Sequence, residues 1–406
     1  MNARTLDAFP AGRNPRPGVS FGEMNHPGPG KRLCVVTTSD LIVRFFLRDW
    51  LRALSARYRV TLVVNTADRE LTHGIDVELR PMPIARDIAP FADLGALARL
   101  ALLFARGRYD GVISIAPKAG LLAAVAARLA RVPFRCHVFQ GEVWATRKGA
   151  MRSLLKALDR VVVASCTHLL VISRSEHAFL EREKVLASGR AELISEGSLS
   201  GVNLDRFRAD PRARAEVRAE LGIPADAAVA LFMGRLRRDK GVLDLARAFR
   251  IVADQVPDAW LLVVGPDEDG VREIAEREAG PSSGRIRWVG LTDRPERYHA
   301  AADAIALPSY REGFGNVILE AAAAGVPAVA SRIYGIEDAL AEGETGLMHA
   351  PGDVQELATR LTELLRDPAR RAEMGRKALE RVRRDFSSDA VNAFWLAYLE
   401  RSLEAS

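Results

Sequence analysis

Two carboxylates, Glu312 and Glu320, stand on either side of a Gly-Phe-Gly segment that opens a run of apolar residues typical of a helix. Glycines at a helix start let backbone N–H groups turn toward a bound anion. A carboxylate repels a neighbouring anion, but it accepts hydrogen bonds from hydroxyl groups and also holds metal ions. The sequence has no dense group of Asp and His residues that would complete a metal site. These residues therefore indicate an anion held by the backbone, with hydroxyl groups bound on both sides of it.

A second set of candidate residues lies in the segment MGRLRRDKG, which begins at Met233. Arg235 and Lys240 lie between an expected strand and a helix that we expect to begin near residue 242. An arginine binds a phosphate through two N–H groups, and a lysine contributes a compact positive charge. The alternative is that both are solvated loop charges. Together with the glutamates, the pattern favours a diphosphate between a ribose and a hexose, as in a nucleotide sugar.

Short apolar segments alternate with longer amphipathic ones along the chain, which predicts an α/β fold with parallel sheets. Helices are expected at residues 41–57, 91–106 and 119–130, where apolar residues recur every three or four positions. The expected strands cover residues 33–37, 60–64, 111–115, 135–139, 168–172 and 192–194 in the first half, and residues 229–233, 260–264, 286–289, 304–307 and 327–330 in the second. The alternation starts afresh in the second half, so we predict two similar domains.

The turn-rich segment EGSLSGVNLDRF at residues 196–207 marks the expected domain boundary. We predict an N-terminal domain at residues 31–203 and a C-terminal domain at residues 204–385. A last helix within residues 386–406 has enough apolar surface to pack back on the first domain. Residues 1–30 are rich in Pro, Gly and Asn, and they are predicted to be a disordered leader rather than a signal peptide.

Charge and cysteine content limit the binding partners and the cellular compartment that we expect. Residues 31–203 carry 26 Lys and Arg against 16 Asp and Glu, a net +10, whereas the chain from residue 204 onward carries 29 against 34, a net −5. A basic half suits nucleic acid, an anionic membrane surface or a phosphorylated substrate, but no aromatic platform or recognition motif for nucleic acid accompanies it. The 3 cysteines form no Cys-x-x-Cys pair, which fits a reducing cytoplasm. No apolar segment reaches the roughly 18 residues of a membrane span.

Several segments together resemble the family-4 retaining glycosyltransferases, which have the two-domain GT-B fold. The resemblance covers residues 31–406, and the segments that carry it are GRLRRDKG, VVGPDEDG, VGLTDR, LPSYREGFGNVILEAAAAGVPAVAS, GETGLMHAPGD and SEGSLSGVNLDRF. It implies two Rossmann-like domains that face a cleft, with the donor bound by the C-terminal domain and the acceptor by the N-terminal one. No cofactor and no metal are expected.

The resemblance assigns a role to each matching residue. Arg235 and Lys240, with Gly234 beside them, would neutralise the donor diphosphate and act in catalysis. Glu320 would bind the ribose hydroxyls. Glu312 would bind the hexose hydroxyls and is the only obvious nucleophile candidate, for which we favour a positioning role. The remaining donor residues are those of the glycine-rich loop and those that border the base, namely Gly313, Phe314, Gly315, Asn316, Val289, Gly290 and Leu291.

On the acceptor side, residues 117–149 resemble a bacterial branch that builds cell-surface polysaccharides on lipid carriers. Where related proteins often have Thr-Gly-Gln-Val-Trp, this chain has Gln-Gly-Glu-Val-Trp. His137 is a candidate general base, and a core histidine is an equally good interpretation. The acceptor-side candidates are His137, Gln140, Glu142, Trp144, Arg147, Lys148 and Arg152.

A basic row follows in the segment after Trp144. Lys148, Arg152, Lys156 and Arg160 recur every four residues, with Met151, Leu154, Leu155 and Leu158 on the other face of the same predicted helix. The row would meet anionic lipid headgroups or a polyprenyl diphosphate carrier. An ordinary surface helix with solvated charges is the alternative.

The resemblance, together with these patterns, implies a retaining, metal-independent hexosyltransferase. It would move a hexosyl or N-acetylhexosaminyl group from a UDP-sugar to a lipid-linked saccharide of an O-antigen, capsule or exopolysaccharide, at the cytoplasmic face of the plasma membrane. A nucleotide-sugar 2-epimerase or hydrolase of the same fold is an alternative, and a non-catalytic sugar-nucleotide sensor is another. A dinucleotide oxidoreductase is disfavoured, because no G-x-G-x-x-G follows the first strand of either half.

Overall fold

The computed structural model describes residues 30–84 and 89–404. The leader predicted at residues 1–30 lies outside these ranges except for Gly30. Within them the strands form two parallel sheets. The first sheet contains β1 Arg32–Val36, β2 Arg59–Val64, β3 Val77–Pro81, β4 Gly111–Ile115, β5 Phe134–Val138, β6 His168–Val171 and β7 Glu192–Leu193. The second contains β8 Ala228–Met233, β9 Ala259–Val264, β10 Ile286–Val289, β11 Ala304–Leu307, β12 Ala328–Ser331 and β13 Gly346–His349.

Helices connect successive strands in both halves. In the N-terminal half they are α1 Asp40–Ile42, α2 Arg48–Ser55, α3 Pro90–Gly107, α4 Pro117–Leu129, α5 Gly149–Ser165 and α6 Arg174–Arg182. In the C-terminal half they are α7 Pro211–Glu220, α8 Val242–Gln255, α9 Arg272–Ala279, α10 Pro295–Ala301, α11 Asn316–Ala323, α12 Ile336–Ala339, α13 Val354–Arg366, α14 Pro368–Asp385 and α15 Ser388–Glu404. The predicted α/β fold with two Rossmann-like domains is confirmed.

In both sheets the strand order reverses at the first strand. The strand orders are β3-β2-β1-β4-β5-β6-β7 and β10-β9-β8-β11-β12-β13. The chain therefore adds two strands on one side of β1 or β8 and then returns to add the remaining strands on the other side. In doubly wound sheets, ligands bind outside the carboxyl ends of the strands at this switch point. The candidate site of the C-terminal domain should thus lie where β8 and β11 end.

Each sheet is covered on both faces, as alternate residues of one strand show. In β1, Leu33 and Val35 lie in the core that includes α2 and α15, whereas Cys34 and Val36 face α3 and α4. All four side chains are fully buried. Burial on both faces explains why the central strands are continuous apolar segments rather than alternating ones.

The last helix, α15, packs on the N-terminal domain. Trp395 has its ring centroid 5.0 Å from that of Trp50, and its Nε1 donates to the Leu199 carbonyl at 2.9 Å. The chain crosses between the domains twice, and the crossings lie side by side. Val202 donates to the Phe386 carbonyl and accepts from the Ser388 N–H, each at 2.9 Å.

The structure differs from the expected elements in three places. The helix expected at residues 41–57 contains a π-helical segment at Val43–Leu47 between α1 and α2. Two strands, β3 and β13, were not predicted. β3 has the sequence Val-Glu-Leu-Arg-Pro and is a partly exposed edge strand, so it lacks the apolar composition of the others. β13 is four residues long and lies within a glycine-rich segment.

Candidate active site

The loops after β8 and β11 meet closely at the switch point. A Cβ atom placed on Gly241 would lie 2.0 Å from the Pro308 carbonyl oxygen, and Gly241 has a φ of +69°. Only glycine allows both this backbone conformation and this approach. The start of α8 is thereby held against the loop that carries Glu312.

Lys240 and Glu312 form a short ion pair across this junction. Lys240 Nζ lies 2.6 Å from Glu312 Oε1 and 3.3 Å from the Arg311 carbonyl oxygen, and Ser309 Oγ donates to the same Oε1 at 2.8 Å. Glu312 Oε2 accepts no hydrogen bond within the described residues. An ammonium group has three donors, so Lys240 keeps one for a ligand.

Arg235 lies in the same loop and contacts an acidic residue after β9. Its Nη1 lies 3.2 Å from Glu268 Oε2, which leaves most of its five N–H groups for other partners. Burial alone would raise the pKa of the neighbouring Asp239, but Lys240, Arg237, Arg311 and Arg235 together lower it. Several cations therefore surround Asp239 in this corner of the domain.

The glycine-rich loop and the first turn of α11 face the same space. The backbone N–H groups of Phe314, Gly315 and Asn316 donate no hydrogen bond to any described residue. The first N–H groups of a helix are suited to hold an anion. The Phe314 side chain is buried, and its ring centroid lies 5.4 Å from that of Phe386, so only its backbone is available to a ligand. Asn316 Oδ1 accepts from Ser198 Oγ of the interdomain loop at 3.0 Å.

Glu320 lies one turn further along α11 and has one anchored oxygen. Its Oε2 lies 3.2 Å from Nε2 of His299, a residue of α10. No described residue donates to its Oε1. Glu312 and Glu320 thus share one arrangement, in which one carboxylate oxygen is held by the protein and the other is open.

The segment predicted to border the base leaves the same edge of the sheet. Val289 ends β10, and its carbonyl oxygen accepts from the Gly265 N–H at 2.9 Å. Leu291 has 56% of its surface exposed. Because β10 lies two strands away from β8, this segment stands beside the charged corner and not within it.

The acceptor-side loop of the N-terminal domain reaches the glycine-rich loop directly. A Cβ atom on Gly141 would lie 2.9 Å from the Gly313 nitrogen, and one on Gly313 would lie 2.7 Å from the Gln140 carbonyl carbon. Arg311 Nη1 donates to the Gly141 carbonyl at 3.3 Å. The candidate residues of the two domains therefore meet at a single junction.

Two buried carboxylates lie at this loop, and one of them, Glu176, holds it by hydrogen bonds. Glu176 accepts from the backbone N–H groups of Gly141 and Ile172, at 2.5 and 3.1 Å. Burial raises the pKa of Glu176 to about 7, and it raises the pKa of Glu142, with a further increase from the charge of Glu176. Neither carboxylate oxygen of Glu142 has a hydrogen-bond partner among the described residues. The Glu142 carboxyl group is therefore inside the protein. The backbone N–H of Glu142 donates to the Tyr334 hydroxyl at 3.3 Å.

Trp144 belongs to an aromatic stack that joins the two domains. Its ring stacks on Phe179 with centroids 5.2 Å apart, and Phe179 stacks on Tyr334 of the C-terminal domain at 4.4 Å. Trp144 Nε1 donates to Asp159 Oδ2 at 2.6 Å. The indole is buried, so the structure places it at the domain contact.

His137 is buried in the N-terminal domain under α4. Its Nδ1 lies 2.9 Å from Ser114 Oγ, and its ring fills the space beside Gly120, where a Cβ atom would lie 2.3 Å from the imidazole carbon Cε1. Burial lowers its pKa to about 4. This is the geometry of the core histidine that was the second interpretation of this residue.

The basic row on α5 does not form an exposed stripe, which corrects the expectation from the sequence. Arg152 Nη2 and Lys156 Nζ both contact Glu183 Oε2, at 2.7 and 2.6 Å, and both lie over the Trp144 ring. Arg160 donates to the Lys184 carbonyl at 3.0 Å. Glu183 therefore draws the row toward α6. Arg147 and Lys148, which precede α5, remain exposed.

The outward surface of this domain is apolar instead. Met151 and Leu154, predicted on the face of α5 away from the basic row, are 47% and 50% exposed. Helix α3, which packs on the other side of α4, exposes Phe91 to 94% and Leu94 to 65%. We call Phe91, Leu94, Met151 and Leu154 the apolar face. All four lie in the first turns of their helices, and these turns lie at the carboxyl edge of the sheet, as does the cleft.

Some residues of the site were not among the sequence candidates. Glu176 follows Ser173 by three residues, a spacing typical of a helix capping box, and Ser173 Oγ does accept from the Glu176 N–H at 3.0 Å. The carboxylate bonds elsewhere, to the acceptor loop. No pattern in the sequence pointed to Tyr334, Glu268 or His299.

Among residues 30–84 and 89–404, no group of three His, Cys, Asp or Glu side chains is placed to hold a metal ion. In the same ranges, no helix has the length and apolar composition needed to cross a membrane.

Comparison with known proteins agrees with this geometry. Residues 43–197 match the model of the glycosyl transferase 4-like domain, and residues 213–381 match that of glycosyl transferases group 1. A capsular polysaccharide biosynthesis glycosyltransferase of Staphylococcus aureus, CapM, is 28% identical over 331 residues, which are 81% of this chain and 86% of CapM. A D-inositol 3-phosphate glycosyltransferase of Streptomyces avermitilis is 34% identical over 229 residues, 53% of this chain and about half of its own length.

Solved structures share the architecture at low sequence identity. The Anabaena protein HepE, solved with UDP and glucose, superposes with a TM-score of 0.75 at 20% identity over 91% of this chain and 99% of its own. The two matched domains lie on either side of the described junction. The chain therefore belongs to the family-4 glycosyltransferases of the GT-B fold and is a hexosyltransferase.

Proposed function

We propose that the protein is a retaining glycosyltransferase that takes a hexosyl or N-acetylhexosaminyl group from a UDP-sugar and transfers it to a lipid-linked saccharide during surface-polysaccharide synthesis. One observation carries the donor part. Glu312 and Glu320 each have one oxygen anchored and one open, and between them lie the unpaired N–H groups of residues 314–316 and the cations Arg235 and Lys240. That order of groups matches a hexose, a diphosphate and a ribose.

The same residues suit the chemistry of donor cleavage. Breaking the bond between the anomeric carbon and the phosphate leaves an oxocarbenium-like sugar and an anionic diphosphate, so the transition state is stabilised by positive charge at the phosphate. Arg235, Lys240 and the start of α11 supply this charge without a metal. Glu312 Oε1 is held by Lys240 and Ser309, which weakens it as a nucleophile. We therefore assign Glu312 to positioning the sugar, with substitution on the same face as departure.

The donor and acceptor loops meet so closely that substrate entry requires the domains to separate and close again. Gly313 and Gly141 leave no room for a side chain between the loops. A nucleotide sugar bound at the C-terminal domain would then be sealed by the Gln140–Glu142 loop. Closure excludes water and favours transfer over hydrolysis.

The lipid-linked acceptor and a peripheral position at the cytoplasmic membrane surface are supported by the apolar face. Large apolar side chains exposed on two helices of one layer, at the same edge of the sheet, suit an interaction surface. Arg147 and Lys148 immediately precede α5 and are exposed, which suits anionic headgroups. The face lies at the cleft edge, so a saccharide on a carrier lipid could reach the donor while its lipid stays in the membrane.

The donor assignment is tested by a thermal-shift panel of nucleotides and nucleotide sugars in EDTA. The true donor should raise the melting temperature by mass action, and UDP-sugars should do so without added metal. A panel in which no nucleotide stabilises the protein would contradict the donor site. Incubation of the stabilising sugar nucleotide without acceptor should give slow hydrolysis, and rapid product formation would indicate an epimerase or hydrolase instead.

The membrane assignment is tested by vesicle sedimentation. The double variant Phe91→Ser with Leu94→Ser should bind vesicles of anionic lipid at least about tenfold more weakly, because two apolar side chains that enter the lipid on binding contribute about 1.5–3 kcal/mol each. Leu129→Ser is the matched control, since Leu129 is 66% exposed but ends α4 at the opposite edge of the sheet. Equal binding by the double variant and the parent would contradict the assignment.

A further inference from the structure

His299 is buried directly behind the carboxylate assigned to the ribose. None of its surface is exposed, and its Nε2 lies 3.2 Å from Glu320 Oε2. The ring also contacts Phe207 edge-on, with centroids 5.6 Å apart. Phe207 belongs to the segment that joins the domains and is itself buried. The imidazole is therefore fixed on one side by packing and directed on the other at the carboxylate.

The surroundings of the ring select its tautomer. Nδ1 is buried and has no hydrogen-bond partner among the described residues. A proton on Nδ1 would be a buried donor without an acceptor, whereas a proton on Nε2 points to Glu320. Of the two tautomers, the one with its proton on Nε2 is thus favoured, and it donates to Oε2. Glu320 then keeps its second oxygen, Oε1, directed away from the histidine.

We propose that His299 is a positioning residue for donor recognition, which fixes the rotamer of Glu320 so that Oε1 accepts the ribose hydroxyls of the bound nucleotide. The inference rests on the proposed function, because it takes Glu320 as the ribose-binding residue. His299 touches neither the sugar nor the diphosphate. Its loss should therefore weaken selection for ribose more than it changes turnover of bound donor.

The experiment compares binding of UDP with binding of 2′,3′-dideoxy-UDP by titration calorimetry. The parent protein should prefer UDP, and Glu320→Gln should lose most of the preference. His299→Phe keeps the ring and its contact with Phe207 but has no N–H donor. It should reduce the preference about tenfold, since a hydrogen bond to a charged group carries that order of binding energy. His299→Gln, which retains a donor, should recover part of it, and KM for the donor should rise more than kcat falls.

The outcomes separate the inference from the proposed function. An unchanged preference in Glu320→Gln would overturn the ribose assignment itself. An unchanged preference in His299→Phe, beside a lost preference in Glu320→Gln, would overturn only the role of His299. Should His299→Phe fold poorly, nitrogen NMR of the parent protein decides. The His299 Nε2 resonance should shift with UDP more than with the dideoxy analogue, and equal shifts would overturn the inference.

Discussion

The pKa values of acidic residues near the carboxyl edges of the two sheets are shifted in opposite directions. In the C-terminal domain, neighbouring cations hold the pKa of Asp239 below its usual range although burial acts against them. In the N-terminal domain, burial raises the pKa of Glu142 and raises that of Glu176 to about 7. Six strands of the first sheet have the same order as the six of the second, so the fold provides the location and the loop residues provide the chemistry. One edge is prepared for an anion, and the other is a low-dielectric contact.

We call the carboxyl edge of the C-terminal sheet the donor edge and that of the N-terminal sheet the acceptor edge. The largest effect on activity should come from removing positive charge at the donor edge. Lys240→Ala should lower kcat about 10²- to 10³-fold, because stabilisation of the departing diphosphate is lost. Initial rates of transfer with saturating donor give the measurement. Arg238→Ala is the matched control, since Arg238 lies in the same loop and its side chain is exposed. If both variants lose activity equally, the positive corner acts as a whole and Lys240 has no special position.

A smaller loss is expected at the sugar end of the same edge. Glu312→Gln should lower turnover about 10- to 100-fold, because a charge-assisted hydrogen bond to the hexose becomes a neutral one and Lys240 loses its partner. Mass spectrometry of the parent protein during turnover should show no glycosyl adduct on Glu312. Near-normal turnover in the variant would remove any role for the carboxylate, and a trapped adduct would replace positioning with double displacement.

The smallest effect is expected in the N-terminal domain, where a change at Asp159 should alter stability rather than activity. Burial raises the pKa of Asp159 from 3.8 to about 6. The folded state therefore holds this proton to higher pH than the unfolded state, so the free energy of unfolding falls as pH rises from about 4 to 6 and stays lowered above. Asp159→Asn, which still accepts from Trp144, should remove at most about 2 kcal/mol of this decline.

Urea unfolding at pH 4.5 and pH 7.5 measures that difference directly. The parent should lose more stability between the two values than the Asn variant does. Asp76→Asn, at an exposed position in the same domain, should leave the difference unchanged. Identical pH dependence in parent and Asp159→Asn would contradict the contrast between the two edges, because the carboxylate would then be as well solvated as one at the surface.

The donor edge could be predicted from the sequence because its residues lie in short segments directly after strands. Arg235 and Lys240 follow β8, and Glu312 follows β11. Strand order then brings these segments together, and the parallel α/β pattern that sets this order is visible in the sequence. The structure places Arg235 and Lys240 near the same residue, Asp239, and it pairs Lys240 with Glu312 in a way the sequence did not indicate.

The acceptor edge could not be predicted in the same way. Its contacts join residues far apart in the chain, such as Glu142 and Tyr334, and no local pattern reports them. The α5 helix shows a second limit. Four-residue spacing correctly placed Arg152 and Lys156 on one face, but it gave no indication of which face points outward. Glu183, which follows α6, decided that by pairing with both cations.

The paired crossings between the domains have a mechanical consequence. Val202 and Ser387 form a parallel bridge, and hydrogen bonds tie the two chain segments to each other there. Two segments joined at one place permit bending about that place but oppose twisting and sliding of one domain past the other. The opening needed for substrate exchange should therefore follow a single arc, along which the Gln140–Glu142 loop returns to the same position over Gly313 after each turnover.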